Sequence, residues 1–343
     1  MVTGSLFLLR EPSRVSAVRR GTAQMIAGLA AAAAIGAALL AGPGVALGDT
    51  DHAALVAAMH DGSNFYGLIA GIVPAGAFAG RLIPLPTLAL IEAQVGMLGT
   101  TVLLCAVIAS VLLVGWERLG RLFGDARGRM PGTVLLLAGA TAGALLVIAE
   151  PHAGWCAMLA SWSLLARRRG RWIEAAALGC IAATIDPSAA VLALVMACAA
   201  WRDGERREAA GWGSVIVVAA AIWSAHRWTL AHLGLGTVGA GLRVAPFDVA
   251  LAAILPGAPP WIAAVVLVLS IAGWMVVRGG FASRVAAVAI VGLVVAHAPG
   301  MQSAAVLAPP LLPLGLVFAV EAAASIIPAA SNRRRITVTR MTR

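Results

Sequence analysis

Apolar residues in this chain come in long runs, and the polar ones are confined to the joints between them. The runs cover approximately 23–46, 93–115, 131–149, 153–166, 172–186, 188–201, 212–230, 259–277, 284–298 and 303–327. About 20 successive apolar residues carry a helix through the ~30 Å hydrocarbon layer of a bilayer. Backbone groups at that depth are satisfied only within helices or closed barrels. The pattern predicts an all-α, polytopic membrane protein with about ten transmembrane helices. Three runs, 153–166, 172–186 and 188–201, fall short of a full span, so they extend into their flanks, tilt less or reach only part-way.

Composition agrees with the pattern. Hydrophobic residues make up 61% of the 343 positions and charged ones 12%, with a mean hydropathy of +0.92. A soluble domain carries about a quarter charged residues, so that class is excluded. The net charge is +10, and all 25 basic residues are Arg. They stand in short clusters at alternate joints: Arg10–Arg20, Arg118–Arg129, Arg167–Arg171, Arg202–Arg207, Arg278 with Arg284, and Arg333–Arg343. Cytoplasmic joints are enriched in Arg and Lys, so the bias predicts an N-in, C-in topology and an even number of spans. It also makes membrane lipids, and no nucleic acid, the expected surface partner. The lack of Lys beside abundant Ala, Gly and Val points to a GC-rich bacterial genome, and hence to a bacterial inner membrane.

The expected layout is one transmembrane domain over 1–343, with a cytoplasmic segment at 1–22, a first outer loop at 49–92 and a basic cytoplasmic tail at 328–343. The first run is expected to be an uncleaved helix, although Val45-Ala46-Leu47-Gly48 resembles a cleavage site. Cys105, Cys156, Cys180 and Cys198 have no C-x-x-C spacing and are expected to be small buried hydrophobes.

Polar chemistry concentrates after the first run. From Asp49 to Tyr66 the chain gathers Asp49, Asp51, Asp61, His52, His60, Asn64 and its only Tyr. Leu55 and Met59 stand four apart there, which suits a helix lying in the membrane interface. Beyond it, Pro74, Gly76, Gly80, Pro84 and Pro86 around Arg81 predict an irregular, re-entrant connection. Asp49-Thr50-Asp51 can share a divalent cation, can supply a base with a steering carboxylate, or can simply cap a helix. Arg81, Arg227 and Arg243 depart from the inner bias. A guanidinium at the outer edge suits a phosphate, and it equally suits lipid headgroups or Asp248. Asp186-Pro187 and Glu150-Pro151-His152 are expected to be wet, polar turns. Glu92 and Gln94 open the second run and face either a cavity or the interface.

An outer acidic motif after the first helix, an interfacial helix and Arg-rich inner joints together resemble the GT-C glycosyltransferases. That family takes sugars from polyprenyl-phosphate carriers on the non-cytoplasmic face, with mannosyl- and aminoarabinose-transferases among its members. The likeness rests on Asp49-Thr50-Asp51-His52 through Gly62-Ser63-Asn64-Phe65-Tyr66, on Leu82-Ile83-Pro84-Leu85-Pro86, and on the stretch Glu150–Leu192. It implies Asp51 as base or metal-associated carboxylate, with Asp49 and His60 assisting. His52 and Tyr66 would contact substrate, and Arg81, Arg227 or Arg243 would hold the donor phosphate. Asp49 and Asp51 would take any divalent cation, and the acceptor would be a lipid or an envelope glycan. The chain departs from the family where His52 replaces a commoner second acidic residue and where Asp186 stands at a frequent Arg. A transporter or flippase using Glu92, Glu150 and Asp186, and a non-catalytic relative of the fold, are the alternatives.

Overall fold

The computed structural model describes residues 14, 20–40, 50–72, 83–123, 126–235, 246–298 and 300–331, and their regular elements are all helical. The first is α1 (Arg20–Leu40). The segment expected as the first outer loop then folds as two helices rather than one, α2 (Thr50–His60) and α3 (Phe65–Ile72). Gly62 separates them at a left-handed φ of 93°, and the Asn64 side chain accepts the Tyr66 N–H at 2.9 Å, capping the start of α3.

The face expected from Leu55 and Met59 is buried. Both pack with Phe65, Ile69, Ile83, Ala89, Ala93, Leu230 and Leu235 in a satellite core. Leu55→Ala is expected to remove about 2–5 kcal/mol of stability, the range for a truncated buried leucine. Thermal or denaturant midpoints in detergent would check this, and an unchanged midpoint would mean that α2 is not docked there.

Next comes α4 (Pro86–Leu122), which starts seven residues before the expected run. Pro86 sits in its first turn, where a missing N–H costs nothing. Gly96 interrupts it with φ 67° and ψ 177°. A short leading segment carrying Glu92 is thereby set apart from a long apolar shaft. The chain continues through α5 (Ala126–Ala149), α6 (Pro151–Ala166), α7 (Ile173–Ala183), α8 (Ala189–Arg202) and α9 (Arg206–His232). After α10 (Pro246–Ile254) come α11 (Pro260–Val276) and α12 (Gly280–Val295).

The expected last span, 303–327, is not continuous. Two 3-10 turns, Gln302–Val306 and Leu312–Leu314, precede α13 (Gly315–Ser331). Pro309, Pro310 and Pro313 lack the N–H groups that an α-helix requires there. Among the described residues, three helices, Pro86–Leu122, Arg129–Ala149 and Arg206–His232, are long and apolar enough to cross a membrane, with six shorter apolar helices beside them. Cys156 is buried as expected, but Cys105 and Cys198 are exposed on apolar helices.

The basic joints meet at one end of the bundle. Arg167, ending α6, makes a two-pronged pair with Glu208 in the first turn of α9 (Nε–Oε1 2.8 Å, Nη2–Oε2 2.7 Å). Arg284 of α12 pairs with Asp203 in the α8–α9 joint. Arg118 of α4 donates to the carbonyls of Leu165 and Arg167. Exposed Trp116 and Trp201 lie toward this end, and exposed Trp228 and Trp261 toward the other, the placement of interfacial tryptophans.

Candidate functional site

The opposite end collects polar groups of the segments expected to lie outside. On α2, His52 lies on the same buried face as Leu55 and Met59, a spacing of three and seven residues that keeps the three in register. That face packs on the leading segment of α4. There His52 Nε2 meets Glu92 Oε2 at 2.6 Å, and both side chains are largely buried. A carboxylate on one ring nitrogen fixes both the orientation and the tautomer of an imidazole.

The start of α6 supplies the second ring. Pro151 opens the helix after Glu150, and one residue on, His152 enters the interior with 9% of its surface exposed. Its ring stands edge-to-face to His52, with centroids 4.8 Å apart. It also hydrogen-bonds to the Leu85 backbone, while its Nε2 has no partner. The wet turn expected at this residue is therefore absent.

One turn further along α6, Cys156 Sγ lies 3.7 Å from Ser188 Oγ. The Ser188 N–H donates to Asp186 Oδ1 at 2.8 Å, and the Ser303 hydroxyl also bonds to Asp186. Asp186 is therefore no solvated hairpin tip: it is 7% exposed, with Ser303 of the 3-10 turn Gln302–Val306 at its carboxylate.

A second cluster ties α3 to α9. The Nε2–H of His226 donates to the Ile83 carbonyl (3.2 Å), leaving Nδ1 to accept the Tyr66 hydroxyl (3.0 Å). Burial raises the Tyr66 hydroxyl pKa, and a bond to Thr229 opposes the shift. Trp223 packs edge-on to His226 at 5.6 Å and donates to the Ala183 carbonyl at 3.1 Å. Tyr66 is thus held in place by protein groups on two sides.

The other expected residues are distributed as follows. Asp51 lies in the first turn of α2, and its side chain is outside the described part of the structure. Asp49, Arg81 and Arg243 also lie outside the described residues. His60 donates from Nδ1 to the Ala93 carbonyl at 2.8 Å. It stands nine residues along α2 from Asp51, about 13 Å of helix axis at 1.5 Å per residue. Arg227 is exposed on α9, next to His226 in sequence but turned away from it. Among the described residues no group of three or more His, Cys, Asp or Glu could hold a metal ion.

Glu92 and His152 are the partners that sequence reasoning did not assign. They stand 40 and 100 positions from His52, and no local spacing links them. The available signal was weak: His152 directly follows the helix-starting Pro151, and Glu92 lies six residues after the helix-starting Pro86.

Chemically, the arrangement is a carboxylate-anchored imidazole beside a second imidazole with an open nitrogen, continued by a thiol, two hydroxyls and a buried carboxylate. Such a row is made of hydrogen-bonding and proton-exchanging groups, enclosed in the helix packing. Compared with known protein families, curated proteins and solved structures, the chain matches none.

Proposed function

We propose that this chain is a multi-pass glycosyltransferase of the GT-C kind in a bacterial inner membrane, with about ten spans and both termini in the cytoplasm. It moves a sugar from a polyprenyl-phosphate donor to a lipid or envelope acceptor on the periplasmic face. The observation that carries this reading is the gathering of His52, Glu92 and His152 at the end of the bundle away from the Arg joints. By the positive-inside bias that end faces outward, where lipid-carried sugars are presented.

In this reading the acceptor hydroxyl gives its proton to the Asp51 carboxylate as its oxygen bonds to the anomeric carbon. The bond from that carbon to the phosphate oxygen breaks, and its electron pair stays on the polyprenyl phosphate. Arg81, Arg227 or Arg243 meets the phosphate charge. The His52–Glu92 pair, one residue from Asp51, holds the start of α2 against α4 and so fixes where that carboxylate begins. Asp49 and His60 assist, and His52 and Tyr66 border the substrate. Asp49 and Asp51 are the pair that would hold a divalent cation, which would add a positive charge at the leaving phosphate.

Loss of a positioned base lowers transfer by about a hundredfold or more. A deletion strain complemented with Asp51→Asn or Asp51→Ala is therefore expected to lose the same envelope glycan as the deletion, as read by mass spectrometry. Unchanged glycans in both variants, beside a clear deletion phenotype, would remove the transferase reading. One observation favours a second reading, transport of an envelope precursor: Asp186 is a buried carboxylate in a helix–helix joint, and a carboxylate at membrane depth commonly marks a substrate or proton path. Precursor flipping in proteoliposomes that depends on Asp186 and not on Asp51 would decide for it.

A further inference from the structure

We infer that the α8–α9 joint binds the phosphodiester headgroup of an anionic membrane lipid through Arg202, Arg206 and Arg207, with the acyl chains along the exposed faces of α8 and α9. The inference uses the apolar character of these helices and the charges at their joint, and it is independent of the transferase reading.

Pairing across segments sets the charge of the joint. Residues 201–208 hold three acids, Asp203, Glu205 and Glu208, beside Arg202, Arg206 and Arg207, so the stretch alone would be neutral. Each of its acids is taken by an Arg from elsewhere. Arg284 of α12 holds Asp203, Arg169 of the α6–α7 joint holds Glu205 at 2.9 Å, and Arg167 holds Glu208 at 2.7 Å. The joint's own Arg202, Arg206 and Arg207 are exposed and pair with no acid among the described residues. A topology signal needs only an excess of Arg on one side. Here the fold goes further, and it leaves three uncompensated guanidinium groups around one turn of chain. A guanidinium is permanently charged and offers paired N–H donors to two oxygens of one phosphate.

The apolar surface beside these Arg selects a lipid. Leu194, Cys198 and Trp201 stand four and three residues apart, hence on one face of α8. All three are exposed, Leu194 by 47% and Trp201 by 69%, whereas the rest of α8 up to Ala200 is buried or half-buried. On α9, Arg206 and Val217 lie about three turns apart on one face, and Val217 is 68% exposed. Each exposed apolar stripe therefore ends in Arg at the joint. A free phosphate or a nucleic acid would leave both stripes uncovered. A phospholipid lays its chains on such stripes and brings its phosphate to the joint. Trp201 at that level has the placement of an interfacial ring, and basic residues beside a spanning helix attract anionic headgroups.

The test titrates the full chain in detergent with dioleoylphosphatidylglycerol or dioleoylphosphatidylcholine, and native mass spectrometry counts the lipids bound. The first phosphatidylglycerol is expected to bind about tenfold tighter than the first phosphatidylcholine, or more. Arg202→Gln, Arg206→Gln and Arg207→Gln should each weaken it up to about fivefold, the effect of one cation beside an anionic headgroup. The triple Gln variant should lose the preference, and the triple Lys variant, which keeps the charge, should retain it. Glycerophosphoglycerol, the headgroup without its chains, and inorganic phosphate should not displace the lipid at equal concentration.

Equal affinity for the two lipids, or a triple Gln variant that keeps the preference, would overturn the proposal. Displacement by glycerophosphoglycerol or phosphate at equal concentration would overturn it in favour of a free anion. A parent that elutes as a dimer and a triple Gln variant that elutes as a monomer, with lipid binding unchanged, would assign the face to a second copy of the chain. The comparison of the two lipids on the unsubstituted chain decides even where a variant does not fold.

Discussion

A valine at position 273 is expected to abolish recovery of folded protein. Gly273 of α11 faces Gly315 at the start of α13, and a Cβ on Gly273 would lie 1.8 Å from the Gly315 carbonyl oxygen. In the other direction, a Cβ on Gly315 would lie 1.9 Å from the Ser270 carbonyl oxygen. Both obstacles are backbone, so no rotamer change relieves them. Overpacking a core usually costs about 1–3 kcal/mol because side chains give way. Here two helices would have to separate, and the effect should exceed that range. In membranes such small-residue contacts let helices approach closely enough for dispersion to hold them. Monodisperse elution and thermal midpoint in detergent are the measurements. Gly213→Val, on a helix position with open space around it, is the control that should elute normally. A Gly273→Val protein as stable as the parent would mean that α11 and α13 do not cross there.

Glu208→Ala should cost about 3–5 kcal/mol, the range for breaking a buried ion pair by removing one partner. Glu208 is 1% exposed, and both its carboxylate oxygens are taken by Arg167. Alanine would leave the Arg167 guanidinium, itself mostly buried, facing a space without a counter-charge. The double variant Arg167→Met with Glu208→Leu should regain much of the loss, because an apolar pair of similar volume avoids the desolvation of both ions. Removing the Arg169–Glu205 pair on the same joints should have no comparable effect, because that guanidinium is in water and exposed pairs contribute little. A Glu208→Ala midpoint matching the parent would show that the pair is wet.

The extent to which the sequence foretold these features follows the range of the forces involved. Hydropathy located 131–149 inside α5, 172–186 across α7 and 188–201 across α8, because an apolar run in a membrane chain has little alternative to a helix. It joined 303–327 into one span by averaging over Pro309, Pro310 and Pro313, whose backbone chemistry overrides their apolarity. Leu55 and Met59 were legible as a buried face from spacing alone. The break at Gly62 was not, since it depends on a left-handed residue and a side-chain cap acting together. The His52–Glu92–His152 contact joins positions 52, 92 and 152 through tertiary packing, and nothing local signals it. Asp186 reads as wet from its neighbours in sequence because Ser303, which reaches its carboxylate, comes more than a hundred residues later.

Gly96 has a mechanical consequence. A helix transmits tilt along its length because each turn is tied to the next by hydrogen bonds. In α4 that ladder is interrupted at one residue with φ 67°, a conformation that glycine adopts without strain. The apolar shaft beyond it, with Met97 and Leu98 largely exposed, belongs to a helix long and apolar enough to cross a membrane, and a spanning helix meets a change in bilayer thickness by tilting. The segment before it is fastened to α2 through Glu92 and His52, through the Ala93 carbonyl and His60, and through the packing of Ala89. Gly96 therefore separates the direction of the shaft from that of the leading segment, which α2 holds through the pair near its start.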